Sequence, residues 1–91
     1  MELHELRRQI DEIDGELISL FQRRMDISAE VARYKQKHNL PVYDPVREKE
    51  ILEKLSGKVK EGRESSIIAV YSLLFELSRA EQERILNPEV T

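Results

Sequence analysis

Without a single cysteine, the chain can build neither a disulfide framework nor a zinc–thiolate centre. Its two histidines, His4 and His38, lie far apart in the sequence, so no metal site is expected. No apolar run approaches the roughly 20 residues that a membrane span needs. The opening Met1-Glu2-Leu3-His4-Glu5 lacks the basic and apolar regions of a secretion signal, which makes the cytoplasm the expected location. Aromatic residues are only 5% of the chain, basic runs are missing and the net charge is -3, so neither nucleic acid nor a membrane is an expected partner. Sustained period-two alternation, internal repeats and low-complexity linkers are also missing. The expectation is one all-α domain spanning residues 1–91.

What is present is a long heptad pattern. Leu3, Leu6, Ile10, Ile13, Leu17, Leu20, Arg24, Ile27, Val31 and Tyr34 form a seam that only Arg24 interrupts. With no proline and one glycine, Gly15, the segment from Leu3 to about His38 reads as a single helix of roughly 54 Å. A compact monomer of this length has a radius of gyration near 12 Å, so such a helix would project with its stripe uncovered. A helical homodimer is therefore expected.

Asn39 suits a left-handed cap and Leu40-Pro41 ends the first helix. Asp44 as N-cap and Pro45 at the first position open a second, whose apolar face is Val46, Ile51, Leu52, Leu55 and Val59. Gly62 is the expected end of that helix, with Gly57 as the competing stop. A third helix starts between Glu64 and Ser66 and runs to Asn87-Pro88, beyond which fraying is expected.

Polar residues occur where apolar ones belong. Arg24 breaks the seam; Lys35, eleven residues on, is offset by only about 20° and about 16 Å along the axis, so both look toward one volume. Arg7 is about 25 Å from Arg24 and could share that volume only from another subunit. Asp44, Arg47 and Glu48 occupy one face of the second helix's first turn. Ser78 and Gln82 interrupt the stripe through Tyr71, Leu74, Phe75 and Ile85.

Each has a plainer reading. Arg24 could pair with Asp14 of a partner helix or with Glu48, Arg47 and Glu48 could form a surface pair, and Lys35 and Arg7 could be solvated. Ser78 and Gln82 could bond across helices, and Asp44 is an N-cap in any case. Together, several cations, one carboxylate and two neutral polar groups make a cage suited to a small ligand with more than one carboxylate and a hydroxyl.

The chain resembles the small all-helical, type II class of chorismate mutases. The resemblance covers nearly the whole chain. It rests on Leu6-Arg7-Arg8-Gln9-Ile10-Asp11-Glu12-Ile13-Asp14, Arg23-Arg24-Met25, Val31-Ala32-Arg33-Tyr34-Lys35, Pro41-Val42-Tyr43-Asp44-Pro45-Val46-Arg47-Glu48, and finally Ser78 and Gln82.

That resemblance implies three helices in an intertwined homodimer and the rearrangement of chorismate to prephenate in phenylalanine and tyrosine biosynthesis, with no cofactor. It implies Arg24, with Arg7 from the other subunit, as carboxylate clamps. Lys35 and Gln82 would donate to the ether oxygen and Glu48 would accept from the ring hydroxyl, with the Asp44 backbone nearby. Arg47 and Ser78 would complete the polar wall. Because Gln82 is an amide, its donation needs no low pH. Two alternatives are an isochorismate pyruvate-lyase of similar fold, against which Glu48 argues, and a non-catalytic helical dimerisation module, which leaves Arg24, Ser78 and Gln82 unexplained.

Overall fold

The computed structural model describes residues 2–88, and these form three helices. Helix α1 spans Leu3–His38, α2 Pro45–Ser56 and α3 Glu64–Leu86. No strand occurs among the described residues, which matches the all-α expectation. The expectation of fraying beyond Pro88 falls on residues outside those described.

Helix α1 is unbroken because it has no proline, and its one glycine, Gly15, costs only about 1 kcal/mol relative to alanine. Arg8 pairs with both Glu5 and Glu12, bracing the first turns. Asn39 takes the left-handed conformation at φ 55° and ends the helix, its amide and that of Leu40 both donating to the Lys35 carbonyl. Asp44 caps α2 by accepting from the Arg47 amide at 3.0 Å, one position before Pro45.

The end of α2 differs from the expectation at Gly62. The helix stops at Ser56, where Gly57 begins a turn and the Ser56 hydroxyl donates back to the Glu53 carbonyl at 2.8 Å. Gly62 instead serves the turn before α3 at φ 88°, its amide donating to the Glu64 carboxylate at 2.9 Å. Val59 thus reaches the apolar cluster of Leu52, Leu55, Ile67 and Ile68 from a loop.

Helix α3 packs on both others, and its contacts give the topology. Arg24 meets Tyr71, Ser28 meets Ser78 and Lys35 meets Gln82, so α1 and α3 run parallel. Glu48 meets Arg79, and the Leu55 turn meets the start of α3, so α2 returns antiparallel. Only the second half of α1 is covered. Every residue from Ile10 to Arg23 is exposed, and of the described apolar residues only Ala32 and Phe75 are buried. The seam stays open, with Leu17 at 58% and Ile27 at 62% exposure. The radius of gyration is 16.4 Å, against about 12 Å for a compact chain of this length.

Candidate active site

The contact between α1 and α3 is polar at its centre. Ser28 and Ser78 share a hydrogen bond of 2.8 Å, and the Ser28 hydroxyl also reaches the Arg24 carbonyl at 3.0 Å. One turn along α3, Gln82 Nε2 donates to Ser78 Oγ at 3.1 Å while its Oε1 accepts from Lys35 Nζ at 2.7 Å. Lys35 Nζ also donates to the Val42 carbonyl at 2.7 Å, so the residue whose own carbonyl caps α1 holds the following loop with its side chain. Gln82 and Ser28 are buried and Lys35 is half-buried. Among the described residues no buried side-chain nitrogen or oxygen lacks a partner.

These groups border a cavity of about 180 Å³ between the three helices. Lys35, Gln82, Asp44, Arg47 and Glu48 line it, with Val31, Val42, Ile51 and Phe75 as apolar walls. The Asp44 cap points Arg47 and Glu48 here, because a cap fixes where the first turn of α2 begins. Glu48 is ion-paired with Arg79 of α3, whose guanidinium lies 5.3 Å from the centre of the Tyr43 ring. The hydrogen bond to Glu48 holds Arg79 above its ordinary value, with the charges of Glu48, Tyr43 and Glu76 adding and burial opposing.

Five of the eight residues singled out in the sequence therefore line one cavity, and Ser78 joins them through Gln82. The cross-helix bonding of Ser78 and Gln82 and the presence of a cavity hold together. Arg24 stands apart. Its guanidinium lies 5.9 Å from the Tyr71 ring centre, and it borders a second concavity of about 470 Å³ with Leu20, Arg23, Asp26 and Ile27. Glu48, one of its possible partners, is taken by Arg79. Arg7 is exposed on the uncovered half of α1 and borders neither cavity.

Two further residues, less conspicuous in the sequence, belong to the candidate site. Arg79 repeats Phe75 at i+4 on the buried side of α3, which was the available signal. Ser28 lies on the row flanking the seam, seven residues before Lys35.

Among the described residues no group of three or more His, Asp or Glu is gathered as a metal site, and no helix is long and apolar enough to cross a membrane. The family model for chorismate mutase type II matches residues 6–83. The chain is 33% identical to a chorismate mutase of Methanocaldococcus jannaschii over 87 residues, 93% of this chain and 88% of that protein. It is 43% identical to a bifunctional chorismate mutase/prephenate dehydratase of Aquifex aeolicus over 60 residues, 66% of this chain and 17% of that protein. A 4-amino-4-deoxychorismate mutase of Streptomyces venezuelae is 41% identical over 46 residues, 50% of this chain and 45% of that protein.

Proposed function

The chain belongs to the type II chorismate mutase family, and we propose that the cavity bordered by Lys35, Gln82 and Glu48 is where it rearranges chorismate to prephenate. The reaction is a [3,3] shift within one molecule, so it calls for no nucleophile and no proton transfer. What a protein can contribute is selection of the compact reactive conformer and stabilisation of negative charge growing on the ether oxygen as its bond to carbon breaks.

The observation that carries this reading is the Lys35–Gln82–Ser78 chain. Lys35 has three ammonium hydrogens and spends two on Gln82 and Val42. Gln82 has two amide hydrogens and spends one on Ser78. Each keeps one donor for the ether oxygen, and their mutual bond fixes both in advance. Donors held where charge develops favour the transition state over the bound substrate. Glu48 accepts from the ring hydroxyl beside the Asp44 backbone, and Arg47 receives a carboxylate. Ser78 orients Gln82.

The remaining clamp is completed by a second copy of the chain. A compact protein of this size exposes about 5,500 Å², whereas the single chain exposes 7502 Å². The excess of about 2,000 Å² per chain is of the size that obligate dimers bury. Covering the Leu3 to Leu20 seam with another α1 brings Arg7 of one chain toward Arg24 of the other. Dimerisation therefore finishes the anion site as well as the core. The cytoplasm is the proposed location.

Incubation with chorismate and, separately, isochorismate, followed by NMR, tests the reading. Prephenate from chorismate is expected. Pyruvate from isochorismate would make the protein a lyase, and inertness toward both would leave a dimerisation module.

A further inference from the structure

Glu48 does not face the cavity alone. Arg79 reaches it from α3, and the pair is held on both sides, since Arg79 also rests on the Tyr43 ring and both side chains are largely covered, at 34% and 22% exposure. Lys35, Arg47 and Arg79 stand against Asp44 and Glu48 in the cavity wall, an excess of one positive charge. Without Arg79 the wall would be neutral and Glu48 would present an unpaired carboxylate, the arrangement that draws in a cation.

We propose that Arg79 is a specificity-determining residue: by pairing with Glu48 it makes the ring-substituent subsite accept a neutral hydroxyl and reject an ammonium. This rests on the reading of the cavity given above. A carboxylate has about four lone-pair sites, so Glu48 can hold Arg79 and still accept from a hydroxyl. An alkylamine on the ring carries a proton at neutral pH and would bring a full positive charge beside the Arg79 guanidinium. Discrimination arises from that repulsion, since a hydroxyl and an ammonium are similar in size. The Tyr43 ring and the packing of α3 keep the guanidinium from swinging away when the subsite fills.

The test compares kcat/KM for chorismate with that for 4-amino-4-deoxychorismate, in which an amine replaces the ring hydroxyl. It uses wild type, Arg79→Lys and Arg79→Val. The ratio of the two values is independent of how much of each variant folds. Wild type is expected to prefer chorismate, Arg79→Val to shift the ratio at least tenfold toward the amine, and Arg79→Lys, which keeps the cation, to stay near wild type. Where Arg79→Val is too slow to assay, calorimetric dissociation constants for the two compounds must shift in the same sense. A wild-type preference for the amine, or a ratio unchanged in Arg79→Val, overturns the proposal while the mutase reading stands. Wild type unable to rearrange chorismate overturns both.

Discussion

Lys35 and Gln82 are bonded to each other over 2.7 Å, across the contact between the last turns of α1 and α3. Neither side chain can be placed without the other, and both are needed at one point of the proposed reaction. The parallel packing of α1 on α3 is thus the structural origin of the donor pair.

Replacing Lys35 with alanine removes a donor and leaves Gln82 without its partner. The variant is expected to lose roughly 100- to 1,000-fold in kcat, the usual loss for one such donor, with the helical content and association state of wild type. Initial rates of chorismate disappearance, with circular dichroism and sedimentation as controls, check this. Activity within a few-fold of wild type would remove Lys35 from its assigned role.

Gln82→Glu separates donation from shape. The amide does not titrate, so its donation in wild type is the same at every pH. An ionised carboxylate at position 82 would still accept from Lys35 but could donate nothing to the ether oxygen. The variant is therefore expected to be weak at neutral pH and to gain activity as pH falls toward the carboxyl range, about pH 4. A kcat/KM profile parallel to that of wild type would show that Gln82 does not donate.

The fold and the site were legible to different depths in the sequence. The limits of α1 could be read because Asn39 and Pro41 leave the chain no other path, and Asp44-Pro45 marks the start of α2 just as plainly. The end of α2 could not, since two glycines compete and the back-bond from Ser56 that favours the first leaves no pattern. Ser78 and Gln82 stood out as polar groups in an apolar stripe, Lys35 by its alignment with Arg24, and Glu48 by its spacing from Asp44 and Arg47. Arg79 did not, because an arginine at the margin of a stripe looks solvated until its partner, 31 positions away, is known.

Arg7 and Arg24 lie about 25 Å apart on one straight helix, so a site using both must draw them from two chains. Arg7→Ala and Arg24→Ala are each expected to be inactive alone. After subunit exchange in an equal mixture, half of the dimers are mixed, and each mixed dimer has one site with both arginines. About one quarter of wild-type activity should return. Exchange verified by mass spectrometry without any recovery would show that Arg7 is not supplied in trans.

Ala32 is fully buried, four residues after Ser28 and three before Lys35, and so sits between the two cross-helix bonds. Its methyl group sets how near α1 approaches α3. Ala32→Leu puts three more carbons into that contact and is expected to cost about 1–3 kcal/mol in denaturant unfolding. Because the helices must part at the polar chain, activity should fall further than stability alone explains, even under conditions where the variant is fully folded. The loss should lie mainly in kcat, since Arg47 and Glu48, the proposed substrate contacts on α2, stay in place while the proposed donors from α1 and α3 are displaced. A variant destabilised to that extent but with wild-type kcat would show that the close approach of α1 and α3 serves the fold alone.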